Sequence, residues 1–384
     1  MVHLAGNGKT ILFIRTDPGT IEPRIVKQAL TLVRAGYEVS VFGWDRRRQY
    51  QRAEELNQIK FQRSTIPAPY GSKFLLFVLP LFWLHAFIHV VRARPDVVHA
   101  CDLDAFIPAL VMKPLLRYVL VYDIFDHFAE KISGVPVWVR KIVARFDRFA
   151  MSFADAVIVT DENRRNIVNG AMISRVEVIM NVPPAHSLMI QDPGGRRLRL
   201  SYAGVIHEHR GLYLLAEAVR DLVDVEVTLA GWIPRTVDRE FLKRQHKISF
   251  LGKLPYEKSL ELLASSDTIL ALYDPSLPIN ALASSNKIFE AMSVARPVIT
   301  NFMTTMAPIV EEEQCGLLIE YGDVDSLRNA IIRLKDNPTL RKKLGGNGYR
   351  AFKGKYNWGF MEKRLETLYH DLTHGSVIVE ARHE

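Results

Sequence analysis

The sequence predicts an α/β protein of two doubly wound, mainly parallel domains, finished by C-terminal helices. Three observations carry that prediction. The chain opens β-α-β, which implies parallel strands joined by a crossover helix. The alternation of short apolar strands with helical stretches starts again after NVPPAHSLMIQDPGG at 181–195, a Pro- and Gly-rich run that reads as a linker. And 384 residues exceed what one compact core ordinarily organises. The expected boundaries are 1–185 for the first domain, 186–196 for the linker, 197–355 for the second domain and 356–384 for a helical segment packing back on the first.

In order, residues 10–15 (TILFIR) read as a buried strand, 16–20 as a turn with Pro18 and Gly19, and 22–35 as a helix ended by Gly36. Residues 37–42 are the next strand, 44–52 a charged loop and 59–63 a short third strand. GNGKT at 6–10 has the spelling of a phosphate loop but precedes a strand, not a helix, so that reading is discarded. The most apolar segment is 74–91. Pro80, His85 and His89 interrupt it, and Lys73, Arg92 and Arg94 flank it. It is a helix buried between sheet and solvent, an interfacial helix lying on a membrane, or a true span. Strands follow at 95–100, 118–123, 156–160 and 176–180, with a helix through Leu116, a basic amphipathic helix at 138–153 and a helix at 161–169. The second half places strands near 198–202, 226–230, 248–251, 268–272, 298–300 and 316–319, with helices at 212–222, 235–245 and 256–265; residues 324–374 are mostly helical.

Charge is uneven. Residues 1–186 hold 24 Lys and Arg against 17 Asp and Glu, whereas residues 187–384 hold 26 against 25. A basic first half suits an anionic partner such as a membrane surface or a phosphorylated acceptor. Nucleic acid is not expected, because no RNA motif and no basic run interleaved with aromatics occurs. Cys101 and Cys315 lie far apart and read as free thiols in a reducing compartment, and the N-terminus has no signal-peptide pattern.

The stretch with the most chemistry is SSNKIFEAMSVARPVITN at 284–301. Ser284 and Ser285 can cap a helix whose first turn holds Asn286 and Lys287, with Glu290 one turn on. A helix N-terminus offers free N–H groups and partial positive charge to an anion; Lys287 adds a full charge, and Glu290 can accept two ribose hydroxyls.

Several motifs then match one family in order. PDVVHACDLDAFIPAL, FADAVIVTDENRRNI, YAGVIHEHRGLYLLAEAV, FLGKLPYEKSLELLASSDTILAL, SSNKIFEAMSVARPVIT and CGLLIEYGDVDSLRNAIIRL together resemble the retaining nucleotide-sugar glycosyltransferases of GT-B architecture, family four. The resemblance covers nearly the whole chain. It implies two Rossmann-like domains facing a cleft, acceptor binding in the first and nucleotide-sugar binding in the second. It implies that Glu290 binds the donor ribose, that Arg210 and Lys287 meet the donor phosphates, and that Gly204, Ser285 and Asn286 line that site. The nucleobase falls to 250–256, by contacts near Lys253 and Leu254, and Gly19 faces the diphosphate from the other domain. The chain departs from the family pattern at Leu282, Val205 and Phe125; Asp126 and His127 are the nearest substitutes for the usual strand-end histidine.

The reaction so implied is transfer of a sugar from a UDP- or GDP-sugar to a glycan or polyprenyl-linked acceptor with retention, by an enzyme requiring no cofactor. Arg210 and Lys287 stabilise the departing charge, and Asp126 or His127 contacts the donor sugar or orients the acceptor hydroxyl. Two spellings suggest metal, the Asp102-Leu103-Asp104 triplet and His207-Glu208-His209, but the reading assigns no metal to either. The expected location is cytoplasmic, or peripheral on the inner face of the cytoplasmic membrane. The alternatives are a sugar-nucleotide epimerase of the same fold and a non-catalytic protein binding a membrane surface.

Overall fold

The computed structural model describes residues 6, 8–20, 23–69, 75–132, 135–186, 188, 194–234 and 237–375. The chain divides into two compact units, Met1–Met180 with Met361–Glu384, and Asn181–Phe360. The expected linker positions 187 and 189–193, helix starts at Glu22, Phe74 and Arg235, the flanking Lys73 and tail residues 376–384 lie outside the described residues.

The first unit contains β1 (Thr10–Ile14), α1 (Pro23–Arg34), β2 (Glu38–Trp44), β3 (Ala53–Leu56), β4 (Ile59–Ser64), α2 (Leu75–Ala93) and β5 (Val97–Cys101). It continues with α3 (Leu103–Leu116), β6 (Val119–Ile124), α4 (Phe128–Lys131), α5 (Val137–Met151), β7 (Ala156–Val159), α6 (Arg165–Val168) and β8 (Val176–Val178). The eight strands run in the order β3-β4-β2-β1-β5-β6-β7-β8. Strand order reverses at β1, which pairs in parallel with β2 on one side and β5 on the other. The inner strands do not alternate between a buried and an exposed face, because helices cover both: all of β5 and β7 is buried.

The second unit contains β9 (Leu198–Val205), α7 (Leu212–Val219), β10 (Val225–Trp232), α8 (Arg239–Lys243), β11 (Ile248–Phe250), α9 (Tyr256–Ala264) and β12 (Thr268–Ala271). After it come α10 (Pro278–Ala281), α11 (Asn286–Ser293), β13 (Val298–Asn301), α12 (Ala307–Glu312), β14 (Gly316–Ile319), α13 (Val324–Asp336) and α14 (Pro338–Gly354). Its six strands are all parallel, in the order β11-β10-β9-β12-β13-β14, with the reversal at β9. Leu200, Val227 and Leu229 on the sheet pack with Leu212, Leu215 and Ile331 on the helices.

The last helix, α15 (Trp358–His374), groups with the first unit from Met361 onward. Tyr369 explains why: its buried hydroxyl lies 2.5 Å from Nδ1 of the buried His99 on β5. His99 Nε2 meets Asp123 at 3.2 Å, and Asp123 is paired with Arg24 at 2.8 Å. A buried charge survives only when it is paired and hydrogen-bonded. Burial raises the Asp123 pKa, but Arg24 and His99 outweigh it and hold the carboxyl down at about 2.

Two expectations are corrected, and some elements went unread. Trp44 is not loop but the end of β2, its indole N–H donating to the Ile66 carbonyl at 2.8 Å. Just past the charged loop lies β3, an edge strand that pairs antiparallel with β4. Its AEEL sequence lacks apolar alternation because its residues are mostly exposed, and Asn57 and Gln58 turn it at φ +51° and +64°. The helix expected at 161–169 is a 3₁₀ turn at Glu162–Arg164 followed by one turn of α6, since Asp161 caps Arg164 N–H and Gly170 takes φ +86°. Short α4, α10 and α12 were below the length that periodicity resolves. As for the apolar segment 74–91, no helix among the described residues is long and apolar enough to cross a membrane.

Candidate functional site

In open parallel sheets, ligands bind outside the carboxyl ends of the strands where strand order reverses. In the second unit that place lies beyond β9 and β12. β9 ends in Gly204-Val205 and leads into a 3₁₀ turn, Glu208–Arg210, closed by Gly211 at φ +73°. Only glycine suits that position: the backbone is left-handed, and a Cβ would fall 2.8 Å from Leu272 Cδ1. The turn thereby delivers Arg210 over the Tyr273 ring, 4.0 Å from its centroid. Arg210 Nη1 is buried and has no hydrogen-bond partner among the described residues.

Tyr273 lies two residues past β12 and is fixed by Asn301: its N–H donates to Asn301 Oδ1 at 2.8 Å, and Asn301 Nδ2 donates back to its carbonyl at 2.9 Å. The Tyr273 hydroxyl lies 2.6 Å from Ser285 Oγ. Ser285 caps α11 by accepting the Lys287 N–H at 3.2 Å. Lys287 Nζ then pairs with Glu290 Oε2 at 2.6 Å, and Glu290 is buried. A Cβ on Gly204 would lie 3.3 Å from Lys287 Cε, so the bare glycine lets the lysine extend past the strand end. Ser284 Oγ is a second buried polar atom with no partner among the described residues.

The sequence-predicted residues Gly204, Arg210, Ser285, Asn286, Lys287 and Glu290 therefore meet in one place. Lys253 and Leu254 lie on the loop after β11, whose Gly252 carbonyl accepts the Gly231 N–H at 2.7 Å. Lys253 is exposed and Leu254 half-buried. Tyr256, just beyond, has its hydroxyl pushed well up, by burial first and then by the charge of Glu290. Tyr202 is raised by burial, with further effects of Tyr273, Arg210 and Glu290. Tyr202, Tyr273, Asn301 and Ser284's unpaired hydroxyl escaped the sequence reading. Tyr273 had a signal, an aromatic just past an apolar strand, whereas Tyr202 looks like core.

His207, Glu208 and His209 bring their ligand atoms within 4.8 Å of one another. His209 Nδ1 lies 2.8 Å from Asp274 Oδ2, a second carboxylate beside the trio. His207 Nδ1 accepts the His209 N–H at 3.2 Å, which caps the turn. Burial, then His209, lowers the His207 pKa. In this arrangement the trio frames the turn that carries Arg210.

Gly19, Asp126 and His127 belong to the first unit, beyond the carboxyl ends of β1 and β6. A chain of contacts joins them. Gly19 N–H donates to Asp17 Oδ1 at 2.8 Å, and Arg15 bridges Asp17 and Asp102, both at 2.7 Å. Asp102 Oδ1 accepts the N–H groups of Phe125 at 2.9 Å and Asp126 at 3.2 Å. Asp102 holds φ +65°, strained for a residue with a side chain. Asp126 is 3.7 Å from Arg164, and His127 is 3.9 Å from Glu130. Burial lowers the His127 pKa, with Arg164 adding to it against Glu130.

Two family profiles match the chain, one described as glycosyl transferases group 1 over residues 197–337 and one as a glycosyl transferase 4-like domain over residues 19–182. An uncharacterized glycosyltransferase of Methanocaldococcus jannaschii is 22% identical over 231 residues, 59% of this chain and 63% of that one. A Corynebacterium glutamicum protein named as a GDP-mannose-dependent phosphatidylinositol monomannoside mannosyltransferase is 25% identical over 158 residues, 39% of this chain and 40% of that one. The chain spans 63% of the length of the first two curated relatives it matches. Among solved structures, sucrose-phosphate synthase of Thermosynechococcus elongatus superposes with a TM-score of 0.80 at 15% identity, covering 96% of this chain and 100% of that one. Anabaena HepE in complex with UDP and glucose gives 0.69 at 16% identity, covering 94% and 99%. The fold class is thus that of the GT-B glycosyltransferases.

Proposed function

The chain belongs to the group 1 glycosyltransferases, and from that premise we propose that it transfers a sugar from a nucleotide diphosphate sugar to a glycan or lipid-linked acceptor with retention of configuration. The observation that carries this reading is Arg210, whose buried Nη1 lacks a partner among the described residues beside the capped N-terminus of α11. A guanidinium in that state suits a bidentate phosphate contact. The Glu290 carboxylate accepts ribose hydroxyls, exchanging its lysine partner for them. Lys287, released, meets the diphosphate as a point charge. Lys253, Leu254 and their loop hold the base.

In the reaction the bond between the sugar C1 and the phosphate oxygen breaks, and negative charge grows on the leaving diphosphate. Arg210, Lys287 and the first N–H groups of α11 are fixed before that charge appears, so little reorganisation is needed as it develops. The acceptor hydroxyl attacks C1 and gives up its proton. Asp126 and His127 serve the sugar or acceptor. His127 suits uptake of that proton, because burial keeps its imidazole neutral. No cofactor or metal is assigned a step.

HepE is solved with UDP and glucose, and the corynebacterial relative is named for GDP-mannose and a phosphatidylinositol glycolipid. These names support a UDP- or GDP-sugar donor and a lipid-borne acceptor. The test is release of nucleoside diphosphate from a panel of UDP- and GDP-sugars, with and without polyprenyl-phosphate-linked and free glycans. Release that depends on acceptor supports the proposal; turnover of the sugar nucleotide to an isomer without acceptor would replace it with an epimerase.

A further inference from the structure

In the first unit, α2, α3 and α5 follow β4, β5 and β6, and each leads to the next strand along the same side of the sheet order. Right-handed crossovers in one direction put all three on one face. The Trp83 indole of α2 donates to the Asp104 carbonyl of α3, and Lys113 of α3 donates to the Phe153 carbonyl just past α5.

Their outer surface is apolar. On α2, Phe77, Leu81, Leu84, Ile88 and Val91 are exposed, a stripe at alternating spacings of four and three. On and just past α5, Trp138, Ile142, Phe146, Phe149 and Phe153 form a second stripe at spacings of three or four, with Trp138 64% and Phe149 63% exposed. Val111 and Leu115 of α3 lie between, 68% and 73% exposed. Isolated exposed apolar residues are ordinary; three neighbouring stripes are an interaction surface.

Charge identifies the occupant. Arg92, Arg94, Arg117, Lys141 and Arg145 are exposed on or beside these helices. The only acidic residues within the three helices are Asp104 and Asp147, and neither is exposed. At one border, between α2 and β4, lies a groove of about 470 Å³. Its polar lining includes Arg52, Arg92, Gln62, and Ser64 with His85, the last two joined at 3.0 Å, and no carboxylate. Arg52 and Arg92 have no ion-pair partner among the described residues. Two copies of such a face would oppose cation to cation, whereas an anionic bilayer meets both the apolar stripes and the charge.

We propose that this three-helix face docks on an anionic bilayer and that the groove between α2 and β4 takes a lipid headgroup phosphate. The proposal rests on the reading of a lipid-borne acceptor for its purpose, and on the surface alone for its evidence.

The test is flotation of the full chain with vesicles of equal parts phosphatidylglycerol and phosphatidylcholine, against pure phosphatidylcholine, at low and high salt. The protein is expected to float with the anionic vesicles and to be released by salt. Trp138→Glu/Phe149→Glu should lower partitioning more than tenfold. Arg52→Ser/Arg92→Ser should lower it roughly twentyfold, from about fivefold per basic residue. Thermal stabilisation by UDP or GDP should be unchanged in both variants, so a failed docking surface and a failed donor site give different results. Wild-type protein left behind by anionic vesicles at low salt overturns the proposal. Vesicle binding unaffected by Arg52→Ser/Arg92→Ser overturns the groove. A dimer in light scattering that Trp138→Glu/Phe149→Glu makes monomeric, with no flotation, assigns the face to a second copy instead.

Discussion

The two sheets reverse strand order in the same way, yet the side chains at the two reversal points are used differently. At the first, Arg15 is held by Asp17 and Asp102, and Asp102 also anchors the loop carrying Asp126. At the second, Arg210 stacks on Tyr273, and among the described residues neither its Nη1 nor the Ser284 hydroxyl has a partner. One topology thus gives an edge closed by its own ion pairs and an edge with donors in reserve for an anion. Fold alone therefore does not locate a ligand; the unfilled hydrogen-bonding capacity of particular side chains does.

Breaking the closed edge should cost the most. Asp102→Ala leaves the Arg15 charge without its buried partner and frees the Phe125 and Asp126 N–H groups. A loss of about 3–5 kcal/mol lowers the melting temperature by roughly 10 °C, which calorimetry reads. An unchanged melting temperature would show that this edge is not held by its ion pairs.

Breaking the open edge should spare the fold and remove the chemistry. Arg210→Ala is expected to lower kcat by about 10²–10³ with little change in melting temperature, because no acidic group among the described residues pairs with it. A large loss of stability with normal turnover would reverse the contrast. Glu290→Gln sharpens it further: KM for the donor rises about tenfold, roughly 1.4 kcal/mol, with a smaller change in kcat, seen in steady-state kinetics.

The smallest effect compares two buried acids within the first unit. Asp123 is paired with Arg24 and kept ionised. Asp147 accepts from the Tyr122 hydroxyl at 3.0 Å, and burial pushes its carboxyl up to about 7. An acid whose folded pKa exceeds its unfolded one favours folding at low pH. That benefit is lost as pH rises from the ordinary carboxyl value, 3.8, toward about 7, and stays lost above it. Asp147→Asn should therefore raise the melting temperature by a few degrees at pH 8.5 and by less at pH 5.

Much of this was legible in the residues. The apolar runs at β1 and β7 are uninterrupted because both faces are covered, so their period needed no partner to be read. The spacing from Ser285 to Lys287 to Glu290 is a helix-cap spacing, and the helix forms there. The rest depends on contacts distant in sequence. Nothing near Tyr273 reveals that Asn301 fixes it or that Arg210 stacks on it. Nothing near Asp102 reveals Arg15, 87 residues earlier. The edge strand β3 carries no apolar code because it is solvated.

The claim that the second unit's open edge is a diphosphate site is tested most directly by isothermal titration of wild type and Arg210→Ala with UDP, GDP and the corresponding nucleosides. The account predicts that at least one diphosphate binds wild type far more tightly than its nucleoside, and that Arg210→Ala removes most of that advantage. Nucleoside and diphosphate binding equally well, or an advantage left intact in Arg210→Ala, would contradict it.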